Sequence, residues 1–192
     1  PQAAGGYLAF CLLGTGFGTA TTWDSEQGQR RAAAYLIVMS TRGELMAARP
    51  ADEVPTGRLA MGEKHGHYNR VFYNALKMRD PHRVLLGANY GGDNGNGPVQ
   101  MWDWVNDAVE MLGDGVSGSS HDVQHLPDTD TYLSISSDFT YLIEWDARGR
   151  IVWNWTAPQW LTTASVSGTH MNHAQQTEGD VIFVSARDLS SV

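Results

Sequence analysis

Short apolar runs separated by polar turns govern this chain, and two of them are near copies. Residues 99–112 read VQMWDWVNDAVEML and residues 141–155 read YLIEWDARGRIVWNW. Each is an apolar strand ending in Trp-Asp, a polar turn and a second apolar strand, which places Trp102-Asp103 and Trp145-Asp146 43 residues apart. Short apolar runs bounded by turn residues are the mark of buried strands. The same reading predicts strands at 34–39, 44–48, 84–88, 99–104, 108–112, 131–136, 141–145, 150–155 and 181–186. Ser40 to Gly43 joins the first two as a turn with Gly at its end, so YLIVMSTRGELMAARP reads as a first copy with Trp and Asp replaced. GGDNGNG at 91–97 reads as a loop whatever the fold. Helical periodicity has a claim only at 68–78 (YNRVFYNALKM), where a strand paired with RVLLGA fits as well, and weakly at 104–112.

Two histidine-led segments set the repeat in context. SSHDVQHLPDTDTYLSIS (119–136) precedes the second Trp-Asp copy, and GTHMNHAQQTEGDVIFVSARD (168–188) opens the next. Periods of roughly 40–50 residues with several short strands each are typical of β-propeller blades. The expected fold class is therefore all-β, a β-propeller of which about three to four blades lie in this chain. It is expected as one partial domain over 1–192, with a divergent first-blade region at 1–83 and more regular blades at 84–192. A ring needs at least about four blades of roughly 45 residues. With Pro1 at the start and Val192 just after a strand, the chain reads as a fragment of a larger ring.

Composition narrows the partners. The net charge is −8, and the 13 lysines and arginines are scattered, so no clustered basic face for nucleic acid is expected. An acidic shell leaves small anions possible, because the field in a pocket is set locally. Cys11 is the single cysteine, which excludes an intrachain disulfide and a Cys-based zinc site. Residues 3–20 (AAGGYLAFCLLGTGFGTA) resemble the apolar end of a signal peptide but lack a basic leader and are broken by glycines. A buried strand with a Gly-rich turn is the expectation there, and stable membrane insertion is not expected. Gly14, Gly16 and Gly18 are followed by no Lys-Ser/Thr and fit no GxGxxG spacing, so phosphate-loop and dinucleotide readings fail. Asn154-Trp155-Thr156 is a formal glycosylation sequon.

The histidines are the next clue: His65, His67, His82, His121, His125, His170 and His173. His121 and His170 each lie 11 positions before the start of an apolar strand, at Tyr132 and Val181, and equivalent positions in a propeller converge near its axis. These two are therefore expected to approach each other across the 49 residues between them. The bland alternative is a hydrogen-bonded structural histidine at each strand start. A metal site is a further alternative, since His65-Gly-His67, His121-x-x-x-His125 and His170-x-x-His173 are ligand-like pairs. No HExxH or carboxylate-rich loop accompanies them, and the Leu-Pro after His125 argues against the helix that an i,i+4 pair requires, so no metal is expected. In VIFVSARDLSSV, Ser185 and Arg187 share a strand face by its period of two. Arg187 presents a planar fork suited to an oxyanion such as sulfate or phosphate, or alternatively pairs with Asp188 at the surface.

These motifs resemble the arylsulfotransferase family, six-bladed propeller enzymes that move a sulfuryl group between phenols without a nucleotide donor. The likeness is carried by GPVQMWDWVNDAVEML with HDVQHLPDTDTYL, by IEWDARGRIVWNW, and most specifically by THMNHAQQTEGDVIFVSARDLSSV; GYLAF and YLIVMSTRGELM resemble an opening blade more loosely. The resemblance covers roughly 84–192 and implies a ping-pong reaction through a sulfo-histidine. It implies catalytic roles for His121, His170 and Arg187, with Arg187 as the sulfate clamp, and substrate contacts from Asn172, His173 and Ser185. It further implies no cofactor, phenols and aryl sulfates as small-molecule partners, and a periplasmic or extracellular location. Ser120-His121 stands where the family has two histidines, and His173 stands where it often has a small or polar residue. The family's sulfated histidine is expected in a later blade, after Val192. Two other functions fit a propeller: non-catalytic binding of an anionic ligand or protein, and a quinone-cofactor dehydrogenase, whose docking repeat WDARGRIVWNWT resembles. No acidic constellation for the calcium of such a dehydrogenase is found.

Overall fold

The computed structural model describes residues 6–13, 34–50, 72–89, 96–113, 121–136, 141–158, 171–177 and 181–186. Among the described residues there are strands and no helix. In chain order they are β1 (Tyr7–Leu13), β2 (Ala34–Ser40), β3 (Leu45–Pro50), β4 (Phe72–Asp80), β5 (Arg83–Asn89), β6 (Asn96–Asp103), β7 (Ala108–Leu112), β8 (Val123–Leu126), β9 (Thr131–Ile135), β10 (Tyr141–Asp146), β11 (Ile151–Thr156), β12 (Met171–Gln176) and β13 (Ile182–Ala186). They make four small antiparallel sheets, each a meander of consecutive strands: β1–β3, β4–β7, β8–β11 and β12–β13. The opening strands of neighbouring sheets lie against each other, β1 on β4, β4 on β8, and β8 with β9 on β12.

Strand alternation builds three cores, one in each gap between sheets. In β5, Val84 and Leu86 face the first sheet with Leu36, Val38 and Trp102, while Leu85 faces the third sheet. In β9, Tyr132 joins Ala75, Val99, Val123 and Trp145 in the second core, whereas Leu133 and Ile135 meet Met171 and Ala174 in the third. Strands buried on both faces read as continuous apolar runs, which explains why VLLGA and TYLSI stood out in the sequence.

Of the stretch with helical character, residues 72–78 belong to strand β4 and 68–71 lie outside the described residues, while residues 108–112 are strand β7. The cause is visible in the packing. Leu76 and Met78 pack toward the first core and Ala75 into the second, a period of two that local propensity did not reveal. Two short strands, β8 and β12, were absent from the predicted set. They lie inside the histidine-led segments, where polar residues interrupt the apolar pattern. The Gly/Asn-rich loop is shorter than predicted, since Asn96 already pairs with Asn89 at the start of β6.

The repeated hairpins share one turn chemistry. At Asp146, the N–H groups of Arg148 and Arg150 donate to the side-chain oxygen at 3.1 and 3.0 Å, and Gly149 takes a φ of 83°. At Ser40, Arg42 and Glu44 donate to the hydroxyl at 3.3 and 3.2 Å, with Gly43 at a φ of 85°. Asp103 accepts likewise from Val105 and Asn106, and Asp107 supplies the positive φ of 51°. A short side-chain oxygen thus replaces a backbone acceptor at each turn. The β2–β3 and β10–β11 hairpins also carry a register shift at the same place, before Met39 and before Trp145. YLIVMSTRGELM is therefore a copy of the Trp-Asp unit with Met39-Ser40 in place of Trp-Asp.

These turns make stability depend on acid. The N–H of Arg150 leads the contacts that hold the Asp146 carboxyl below its ordinary value of 3.8, and the N–H of Asn106 does the same for Asp103. A carboxyl depressed in the folded state contributes stability above its unfolded value and loses it as pH falls through the folded value. The urea midpoint is expected to stay level from about pH 7 to 5 and to drop below about pH 4. Asp146→Asn and Asp103→Asn should flatten that drop; an unchanged acid limb in the double variant would refute the assignment.

Candidate functional site

The site is built where the opening strands of the second, third and fourth sheets meet. Asp122 lies immediately before β8 and is 3% exposed, a carboxylate nearly removed from water. Such a group is tolerated only when it is paired and hydrogen-bonded. Lys77 of β4 supplies the countercharge, its Nζ reaching both carboxylate oxygens at 2.8 and 2.9 Å. From β12, the N–H of Ala174 donates to Oδ2 at 2.9 Å, and His173 Nδ1 lies 2.7 Å from the same oxygen. One carboxylate therefore ties three consecutive sheets together. Two residues along, the Gln176 N–H donates to Gln124 Oε1 at 2.9 Å and Gln124 Nε2 donates back to the Gln176 carbonyl at 3.2 Å. This reciprocal pair fixes β12 against β8 and so fixes His173 against Asp122.

The β12–β13 ladder places the remaining groups. His173 is the cross-strand partner of Ser185, and the register shifts between Met171 and His173, which leaves Asn172 as the extra residue of a bulge. Met171 and Ala174 bury into the third core on either side, while the His173 side chain stays 47% exposed. An imidazole whose Nδ1–H is given to a carboxylate keeps its Nε2 lone pair for an outside partner. The arrangement can accept, hold and release a proton at Nε2.

A second charged group sits farther along β4 and β8. His125 Nε2 lies 2.9 Å from Asp130 Oδ1, and Arg79 Nη2 lies 3.2 Å from that oxygen. The His125 contact leads in holding the Asp130 carboxyl below its usual range, with Arg79 assisting. The His125 ring also packs on Tyr132 with centroids 5.3 Å apart. His125 is thus committed to Asp130, in the turn that follows its own strand, and to Arg79 of the neighbouring sheet. Among the described residues, no three His, Cys, Asp or Glu side chains are grouped to hold a metal ion.

Of the residues singled out from the sequence, Asn172, His173 and Ser185 come together on the β12–β13 hairpin, beside Asp122. His121 is half-buried and adjoins Asp122 in the chain. His170, Arg187, His65 and His67 lie outside the described residues. The functional residues that sequence reasoning did not name are Asp122 and Lys77. Asp122 carried a signal, the His-Asp dipeptide at the head of its segment. Lys77 carried none, because its partner lies 45 residues away and only the stacking of β4 on β8 joins them.

No helix among the described residues is long and apolar enough to cross a membrane. No family model matches this chain, and no curated protein matches it significantly.

Proposed function

We propose that the four sheets are consecutive blades of a β-propeller and that the protein is an arylsulfotransferase. In this reading it transfers a sulfuryl group from a phenolic sulfate ester to a phenol through a sulfo-histidine intermediate, with no nucleotide donor and no cofactor. The observation that carries it is the junction at Asp122. It draws the His121-Asp122 and Asn172-His173 motifs, 50 residues apart, onto the opening strands of adjacent sheets. In a propeller those opening strands line the central channel, where ligands bind. The outer face of the first sheet supports the blade reading. Leu8, Phe10, Leu12 and Tyr35 alternate there with inward residues in the pattern that the buried sheet faces use.

In this mechanism Arg187 clamps the sulfate through its planar fork, and His170 and Asn172 contact the charged equatorial oxygens. His121 and Ser185 line the same pocket. Substrates are small phenols and aryl sulfates, and the resemblance in sequence favours a periplasmic or extracellular location. The test is an assay of the full-length protein with 4-nitrophenyl sulfate and phenol, following nitrophenolate. Release should depend on phenol and be lost in Arg187→Ala and in His170→Ala. Unchanged activity in both variants overturns the reading. A folded protein that releases nothing points instead to a propeller that binds an anionic ligand or a protein partner.

A further inference from the structure

We propose that His173 is the proton-transfer residue of the sulfuryl transfer, with Asp122 and Lys77 as its positioning residues; the proposal rests on the arylsulfotransferase reading above. The geometry selects His173 over His125, the histidine of the neighbouring charged group. His125 is tied to Asp130 and Arg79 and its side chain is only 13% exposed, whereas among the described residues His173 is held at Nδ1 alone, and it is 47% exposed. The Asp122 oxygen that receives His173 also receives the Ala174 N–H, so ring and backbone are fixed by one acceptor. Lys77 approaches the carboxylate from another sheet and offsets the cost of burying it. The backbone bulge at Asn172 bends β12 at this point, as bulges do where a strand re-aims a side chain.

The chemistry balances over the two half-reactions. When the donor is cleaved, the nitrogen of the nucleophilic histidine bonds to sulfur as the sulfur–oxygen bond breaks, the aryl oxygen keeps the electron pair, and the His173 imidazolium gives that oxygen the proton from Nε2. When the acceptor phenol attacks the sulfo-enzyme, its oxygen bonds to sulfur, the nitrogen–sulfur bond breaks with its pair returning to the nucleophilic histidine, and the phenol O–H proton passes to Nε2 of His173. Asp122 stabilises the imidazolium that stands before donor cleavage and is restored by the acceptor, and no net proton is gained or lost by the enzyme.

Leaving-group dependence tests the role. Phenolate is about as basic as tyrosinate, with a conjugate pKa near 10, and requires the proton, whereas 4-nitrophenolate departs readily without it. His173→Ala should slow the donor half-reaction of phenyl sulfate by about 100-fold or more, the scale of general acid catalysis, while 4-nitrophenyl sulfate loses less than about tenfold. Asp122→Asn and Lys77→Met should show the same skew toward the poor leaving group, and Lys77→Arg should restore most of the rate. His173→Gln, which retains a donor to Asp122 but cannot transfer the proton, replaces the alanine variant if that one fails to fold. Equal losses with both donors overturn the proton-transfer role while leaving the sulfotransferase intact. A wild-type protein that cleaves neither ester overturns the underlying reading and the proposal with it.

Discussion

Replacing Trp145 by alanine is expected to lower the unfolding free energy by about 3–5 kcal/mol, measured by urea titration. The indole is fully buried at the centre of the core between the second and third sheets. Its ring stacks on Tyr132 with centroids 4.8 Å apart and planes 24° apart. Its Nε1–H donates to the hydroxyl of buried Ser134 at 2.7 Å. Alanine removes the transfer energy of the ring, leaves a cavity between two sheets, and strips Ser134 of its donor. A domain of this kind has a total stability of about 5–15 kcal/mol, so the variant loses a large share of it. Trp153, on β11 and 39% exposed, is the control. Trp153→Ala should cost less than about 1 kcal/mol. Equal losses at the two positions would refute the inter-sheet core as the source of stability.

The second large effect is expected at Asp122. Asp122→Leu should destabilise the protein by about 3 kcal/mol, since it strips the buried Ala174 N–H and His173 of their acceptor and part-buried Lys77 of its countercharge. The loss should be local as well as global. The Ala174 N–H, which donates to Asp122, should lose protection from hydrogen exchange first, because its acceptor is removed outright while the Gln124–Gln176 pair still ties β12 to β8. In Lys77→Met/Asp122→Leu the cost should fall below the sum of the single changes, as apolar groups replace both members of the pair. Strict additivity would show that the Lys77–Asp122 contact is not the origin of the loss.

Strands β5, β6, β9 and β10 were legible from the residues because they are buried on both faces, whereas β3, β7, β11 and β13 were legible as apolar runs although much of their surface is exposed. VLLGA, VQMW and YLIEW need no partner to be recognised, and the turn residues Ser40, Asp103 and Asp146 bracket them. Strand β4 was ambiguous because the charged Lys77 and Arg79 interrupt the apolar residues of FYNALKMRD, leaving a run too short for its period to separate helix from strand. Those charges are satisfied by Asp122 and Asp130, residues of another sheet, so no local pattern marks them as inward-facing. Strands β8 and β12 were hidden for the same reason. Each is short and mixes polar residues with apolar ones, and the polar ones are used between sheets, as in the Gln124–Gln176 pair.

By itself the sequence determined the all-β class, the turn positions, the Trp-Asp repeat and the special character of the histidine-led segments. These are properties of periodicity and of local side-chain-to-backbone bonding, which act within a few residues. Only the tertiary structure decided that Asp122, rather than a histidine, is the hub of the described site. It also decided that Lys77 belongs there, and that His173 is oriented while His125 is consumed in an ion pair. The reason is physical. Whether a titratable side chain is a structural pair or a chemical group depends on which charges the packed sheets bring within about 3 Å of it, and sheet stacking sets those distances between residues about fifty positions apart in the chain.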